Sequence, residues 1–261
     1  MSRSERQGLA VRQWGDPAAP RVVCLHGVTG HGRHFAGLAE RLAPRFQVLA
    51  PDLIGHGDSP YAPPWSIDAH LAAVVGAVGD RRAVWIGHSF GARLGHELAA
   101  RRPDLVDRLV HLDPAILLPP HVALFAGENA RKERVYSSFE EAVESRYEES
   151  SLHGAPRELL EVELADHLVP SGNGEWRYRY CQAAVVAAYG EMASMPSPFE
   201  AARVPTILVL GAHSYLPYDH LLEAHREALG DLLEVVVVDG GLTVLWDAFD
   251  ETAGAVVRFL G

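Results

Sequence analysis

The stretch from Ala83 to Arg93 constrains the fold of this 261-residue chain more than any other. It begins with an apolar run over 83–86, continues as Gly87-His88-Ser89-Phe90-Gly91, and ends in a helical pattern that opens on small residues. Glycine two positions before and two positions after Ser89 allows a strand and a helix to pass closely around a sharp turn. The sequence therefore predicts a buried strand, a tight turn with Ser89 at its tip, and a helix.

This turn gives Ser89 a candidate chemical role. A serine at the tip of such a turn has its hydroxyl raised above the sheet, and the following helix directs its N-terminal amides toward developing negative charge. We therefore predict that Ser89 is a catalytic nucleophile. The alternative interpretation is an ordinary serine that caps the helix.

A second segment, 22–30, is an apolar strand that ends in His26-Gly27-Val28. Acyl transfer to a serine needs two amide donors for the oxyanion, one after the nucleophile and one from a neighbouring strand's loop. The backbone N–H groups of Phe90 and Val28 are the predicted donors. His26 and Gly27 are predicted to border the substrate pocket, with His26 a hydrogen-bonding residue that fixes the loop rather than a base.

The remaining pattern indicates an α/β fold, because short β-branched runs alternate with helical stretches. We predict a mostly parallel sheet flanked by helices. The predicted strands are Leu9–Trp14, Arg21–His26, Gln47–Pro51, Ala83–Gly87, Leu109–Asp113, Thr206–Gly211 and Leu233–Asp239. The predicted helices are His34–Leu42, Ile67–Val78, Gly91–Arg101, Tyr218–Leu229 and Glu251–Leu260.

The interval 115–204 interrupts this alternation with a helical, charged pattern and no convincing buried strand. A structureless loop of that length is improbable in a compact domain. We therefore predict a hydrolase-like core of residues 1–114 and 205–261 with a helical cap inserted at 115–204. Trp176 in the cap and Tyr215 in a core loop are assigned to the pocket, which favours an apolar substrate with some polar handles.

Composition restricts the partners. The net charge of −11 and the lack of a basic run argue against nucleic acid and against an acidic membrane surface. Two isolated cysteines, Cys24 and Cys181, form neither a disulfide framework nor a metal site. We see no signal segment and no run of ~20 apolar residues, so we expect a cytoplasmic protein with a small-molecule substrate, no cofactor and no metal.

Together with the loop Gly55-His56-Gly57-Asp58-Ser59, these segments resemble the α/β-hydrolase superfamily. The likeness is greatest to its capped esterases and carbon–carbon bond hydrolases, and it runs from Leu9 to the C-terminus. The resemblance implies a triad in the order nucleophile, acid, histidine, and a cap inserted after the sixth strand. The interval 115–204 falls at that place.

The resemblance places the catalytic histidine after the last strand, where this chain has Gly240-Gly241-Leu242. Leu242 therefore stands in the position of the missing histidine. Leucine accepts no proton, and losing one triad member typically costs about 10⁴–10⁶ in turnover. Two explanations remain open: a recent or engineered change in an active enzyme, or a natural non-catalytic relative. His213 and His220 are the candidates for a substitute base.

The resemblance also implies an acid three residues after the glycine that ends the preceding strand, but this position is Ser214. Some relatives place the acid at the end of the sixth strand instead, and Asp113 fits that spacing. Asp113 is therefore the predicted triad acid, with Asp219 the alternative. Asp247 is expected to be structural.

The predicted function is a serine hydrolase for a small to medium apolar ester, lactone or related acyl compound, crippled by Leu242. The alternatives are a non-catalytic ligand-binding protein on the same fold and a carbon–carbon bond hydrolase, which uses the same serine. Epoxide hydrolases and haloalkane dehalogenases are disfavoured because they need Asp where Ser89 stands.

Overall fold

Among the described residues, the first half of the chain forms six strands and three α-helices. The computed structural model describes residues 2–6, 8–150, 152 and 154–261. Met1 and Gln7 of the predicted core, and Ser151 and His153 of the predicted cap, lie outside the described residues. The elements are β1 Ser2–Arg6, β2 Leu9–Trp14, β3 Arg21–Leu25, α1 Ala36–Leu42, β4 Gln47–Pro51, α2 Ile67–Val78, β5 Ala83–Ser89, α3 Phe90–Arg101 and β6 Val106–Pro114.

The second half first forms an excursion from the sheet and then returns to it. The excursion contains α4 Pro120–Ala130, β7 Val135–Tyr136, α5 Phe139–Ser150, α6 Arg157–His167, β8 Leu168–Pro170, β9 Trp176–Tyr178 and α7 Gln182–Ala193. The return contains β10 Thr206–Gly211, α8 Asp219–Leu229, β11 Leu233–Val238, α9 Val244–Asp247 and α10 Phe249–Leu260.

The eight-stranded main sheet has the order β1-β2-β4-β3-β5-β6-β10-β11. The strands from β4 through β3, β5, β6 and β10 to β11 pair in parallel, and β1 and β2 join antiparallel at one edge. The predicted mostly parallel sheet is therefore confirmed. Because parallel strands end at the same edge, the loops after β3, β5, β6, β10 and β11 gather around Ser89.

The sequence did not predict β1. Ser2, Ser4 and Glu5 are exposed on an edge strand whose pairing with β2 runs through backbone groups. The strand sequence, Ser-Arg-Ser-Glu-Arg, contains no apolar residue, so no apolar pattern marks it.

The inserted segment is not wholly helical, contrary to expectation. Its strands β7, β9 and β8 form a small antiparallel sheet around a satellite core that includes Tyr136, Leu164 and Tyr178. Aromatic residues alternate with arginines over 176–180, as expected for a strand. However, strands of two or three residues are too short to show as buried runs. No helix among the described residues is long and apolar enough to span a membrane.

The turn after β5 brings strand and helix very close together. A Cβ on Gly91 would lie 2.0 Å from the Leu25 carbonyl oxygen, and one on Gly87 would lie 2.4 Å from the Ala92 nitrogen. Ser89 between them has φ of 51° and ψ of −114°, a backbone conformation that L-residues rarely adopt. Gly91 is therefore required for α3 to pass against β3, and Gly87 for α3 to fold back closely on β5.

A buried arginine on α3 holds both ends of the insertion. Arg93 is 1% exposed and donates to the carbonyl oxygen of Ile116 at one end and to those of Ser194 (3.0 Å) and Met195 (3.2 Å) at the other. Glu97, one turn later, pairs with Arg93 and accepts from the Ser197 amide at 2.9 Å. The helix that begins at Ser89 therefore also anchors the insertion.

Replacing Gly91 tests the close approach of helix and strand. Gly91→Ala should lower the free energy of unfolding by at least about 2 kcal/mol, because the added methyl collides with backbone that has no room to move. The matched control is Gly190→Ala in α7, where a Cβ meets nothing within 4 Å. It should raise stability by about 0.5–1 kcal/mol. Urea unfolding measures both, and equal effects would contradict the packing described.

Candidate active site

Ser89 borders a cavity of about 320 Å³ between the main sheet and the insertion. It is the last residue of β5 and immediately precedes α3, so its strained turn presents it at the carboxyl edge of the sheet. Among the described residues, none makes a hydrogen bond with the Ser89 hydroxyl. The arrangement places a serine oxygen where a bound carbonyl could reach it, without a base in hydrogen-bond contact.

The predicted oxyanion donors flank this serine. Val28 lines the cavity in the loop after β3, and Phe90 is the first residue of α3, whose first-turn amides have no partner within the helix. A Cβ on Gly27 would lie 3.0 Å from Ser89 Cβ, so the two loops nearly touch. Their assignment as donors stays a prediction.

His26 is buried beneath the loop and does not line the cavity. Its Nε2 accepts from the Leu53 amide at 2.9 Å, so the proton is on Nδ1, which donates to the Gly27 carbonyl oxygen at 2.8 Å. Burial and the neighbouring His56 lower the pKa of His26 well below its usual value. His26 joins the loops after β3 and β4 as a neutral side chain, and its expected place in the pocket is wrong.

Asp52, which directly follows β4, also fixes the loops after β3 and β4. Its carboxylate, fully buried, accepts from the Gly32 amide at 2.7 Å, from the Asp58 amide at 3.0 Å and from Arg12 at 2.8 Å. A Cβ on Gly57 would lie 2.2 Å from this carboxylate, which explains the glycine. The loop 55–59 is therefore held by the buried ion pair between Arg12 and Asp52.

Leu242 lines the cavity in a loop that is well fixed by its neighbours. The Gly241 amide donates to Asp247 at 3.1 Å, and a Cβ on Gly211 would lie 2.2 Å from the Gly241 carbonyl oxygen. His88 Nε2 donates to the Leu242 carbonyl oxygen at 3.0 Å. None of these contacts uses the side chain at position 242, so the loop keeps its course whichever residue stands there.

Asp113 lies at the end of β6 and is 3% exposed. Its carboxylate accepts from the Gly211 amide at 2.9 Å and from the Ser214 hydroxyl. Burial raises the pKa of Asp113 to about 6, although both hydrogen bonds act in the opposite direction. Asp219, by contrast, is exposed at the start of α8 and does not line the cavity.

Two histidines that the sequence reading missed, His34 and His88, do line the cavity. Their rings stack 5.0 Å apart, and His34 also lies 4.6 Å from the Trp246 ring. Burial lowers the pKa of His88 to about 4 and that of His34 well below its usual value. Both are therefore neutral and weakly basic at pH 7. His88 was visible as the residue before the nucleophile, whereas nothing in the sequence marks His34.

The predicted substitute bases lie elsewhere. His213 is exposed and pairs with Asp239 at 2.9 Å, and His220 is exposed on α8. Neither residue lines the cavity. The described geometry gives these two histidines no access to Ser89.

The cavity wall combines apolar and polar surface in similar amounts. Gly27 and Tyr215 line it as expected, but Trp176 does not: its ring packs against Phe139 at 6.0 Å within the satellite core of the insertion. The aromatic residue therefore packs within the insertion and not in the pocket. Charged residues from the insertion also reach the cavity: Arg134, Arg146 and Glu163.

The raised pKa of Asp113 predicts a specific pH dependence of stability. The folded state binds this proton more tightly than the unfolded state, so the contribution is full below about pH 4 and is lost as the pH rises through about 6. Asp113→Asn removes it. The stability of the unmodified chain relative to this variant should fall by about 3 kcal/mol between pH 4 and pH 7. Urea unfolding across that range measures it.

Asp219→Asn is the matched control, since it removes an exposed carboxylate. A difference between the unmodified chain and Asp113→Asn that stays constant with pH would contradict a buried, proton-binding Asp113.

Comparison with known proteins places this geometry in context. A sequence profile described as the alpha/beta hydrolase fold matches residues 20–248. Lipase LipV of Mycobacterium tuberculosis is 36% identical over 264 residues, covering 97% of this chain and 98% of its own. The sn-1-specific diacylglycerol lipase ABHD11 of Mus musculus is 29% identical over 222 residues, covering 81% and 72%. The solved structure of E-2-(acetamidomethylene)succinate hydrolase superposes with a TM-score of 0.85 at 24% identity, covering 99% and 98%.

Proposed function

The chain belongs to the alpha/beta hydrolase family, and we propose that its cavity is built for serine-dependent hydrolysis of small to medium apolar esters, lactones or related acyl compounds. The observation that carries the proposal is Ser89, which is held in a strained backbone conformation at the edge of the cavity. Such strain persists only where surrounding structure enforces it, and it is concentrated at functional sites. Two relatives are named as lipases, which supports an ester substrate.

In the proposed reaction the Ser89 oxygen attacks the substrate carbonyl carbon. The amides of Val28 and Phe90 receive the negative charge that develops on the carbonyl oxygen, an interaction that is strongest in the transition state. A base must take the serine proton and later return it to the leaving group. A histidine at position 242 would do this, oriented by the Asp113 carboxylate.

Because Leu242 cannot accept a proton, this transfer has no base. We therefore propose that the chain hydrolyses its substrate slowly. His34 and His88 are poor substitutes because burial keeps the pKa of each below its usual value. His88 also uses its Nε2 proton to bond the Leu242 carbonyl oxygen. The remaining parts, Ser89 and its two amide donors, would still bind and polarise an acyl group.

The second candidate function is non-catalytic binding of an apolar small molecule in the same cavity. The Ser89 hydroxyl without a hydrogen-bonded base favours it, as does an apolar part of the wall that includes Val122, Phe125 and Met192. A carbon–carbon bond hydrolase is the third candidate, because it would use the same serine and the same missing histidine.

Restoring the base separates these candidates. Leu242→His should raise the turnover of p-nitrophenyl acetate and its short-chain homologues at least about 100-fold, because a positioned base contributes 10²–10⁴. Stopped-flow or steady-state absorbance measures the release of p-nitrophenol. The gain must vanish in the Leu242→His, Ser89→Ala double variant.

The acid is assigned in the same restored background. Asp113→Asn should remove most of the gain, and Asp219→Asn should leave it intact. Loss only in the Asp219 variant would overturn the assignment of Asp113. No turnover in the restored chain, together with tight binding of an apolar ligand, would support the binding protein instead.

A further inference from the structure

Three buried side chains meet beside the cavity: His31 from the loop after β3, and Glu163 and His167 from α6. Glu163 and His167 are four residues apart, so they share one face of the helix. His31, Glu163 and His167 are 1%, 5% and 2% exposed. One nitrogen of each histidine and one carboxylate oxygen lie within 4.8 Å of one another. The cluster therefore lies where the core meets the insertion, and it brings together imidazole nitrogens and a carboxylate oxygen, which are atoms that can bind a metal.

Two distances within the cluster are close to those between neighbouring ligand atoms of a metal ion. Glu163 Oε1 lies 3.0 Å from His31 Nε2 and 3.3 Å from His167 Nδ1. Around a tetrahedral zinc ion with bonds of about 2.0–2.2 Å, neighbouring ligand atoms are about 3.3 Å apart. An ion could thus enter with small movements of the three side chains.

One oxygen of the cluster has no partner in the described part of the chain. The second carboxylate oxygen, Glu163 Oε2, is buried and has no hydrogen-bond partner among the described residues. A buried carboxylate oxygen left unpaired is costly, and a coordinated cation removes that cost. This orphaned oxygen is independent evidence for a ligand, since hydrogen bonds within the cluster already involve Oε1.

A further carboxylate stands behind His31. The Nδ1 atom of His31 lies 3.8 Å from Asp166 Oδ2, and Asp166 in turn accepts a hydrogen bond from Arg12. Histidines that bind a metal commonly direct the other ring nitrogen toward a carboxylate, which fixes the tautomer and raises ligand basicity. With Nε2 on a metal, the His31 Nδ1 proton would face Asp166.

We propose that His31 Nε2, the Glu163 carboxylate and His167 Nδ1 form a binding site for a divalent transition metal of the zinc class. Two imidazole nitrogens and one carboxylate oxygen suit zinc or cobalt and disfavour calcium and magnesium, which prefer oxygen. Three protein ligands leave a fourth position for water. Glu163 lines the cavity that contains Ser89, so this position adjoins the cavity. From the sequence we expected no metal, because the proposed ligands come from distant segments and show no ligand spacing.

Cobalt and zinc binding to the full chain test the proposal. After treatment with EDTA, one equivalent of Co²⁺ should produce visible d–d absorption, which Zn²⁺ should displace. Calorimetry should show one Zn²⁺ site, and Zn²⁺ in excess should raise the melting temperature. Glu163→Gln keeps the size of the side chain and removes its charge, so Zn²⁺ affinity should fall at least about 100-fold.

His213→Gln is the matched control, because it removes a histidine that is paired with a carboxylate at the surface. Zn²⁺ affinity should be unchanged in this variant and in Ser89→Ala, which separates the metal site from the proposed hydrolysis. Absence of one-equivalent binding, or equal binding by the unmodified chain and Glu163→Gln, would overturn the proposal. If Glu163→Gln does not fold, X-ray absorption of the Co²⁺ form decides: a shell without imidazole nitrogen would overturn it.

Discussion

The close passage of α3 across the end of β3 is the constraint on which the site depends. Without side chains at Gly87 and Gly91, the chain turns sharply between strand and helix, and Ser89 takes a conformation that few residues adopt. The same helix then carries Arg93, which binds backbone carbonyl groups at both ends of the insertion. One helix, α3, therefore positions both Ser89 and the insertion that borders the cavity.

The loops around Ser89 are held by groups other than the proposed catalytic ones. Asp52 and His26 fix the loops after β3 and β4, and Asp247 fixes the loop that carries Leu242. Because this support is independent of the side chain at position 242, a change there would alter chemistry without altering the scaffold. The geometry thus accounts for an intact loop around a residue that accepts no proton.

The sequence predicted the sheet and the turn at Ser89 because both leave local patterns: buried apolar strands and glycines at fixed spacing. It missed β1, whose residues are all polar, and it placed Trp176 in the pocket although that ring packs inside the insertion. His34, Arg146 and Glu163 line the cavity from segments far apart in the chain. Such residues converge only through the packing of the insertion on the core, which no local pattern encodes.

We propose that Ser89 is correctly presented but lacks a base because Leu242 stands in the histidine's position. The most direct measurement is the rate at which a fluorophosphonate labels Ser89, followed by intact-protein and peptide mass spectrometry in the unmodified chain and in Leu242→His. We expect a single adduct on Ser89 in both proteins, and we expect it to form at least about 100-fold faster when histidine is present at position 242. Equally fast labelling of both proteins, or an adduct on another residue, would contradict it.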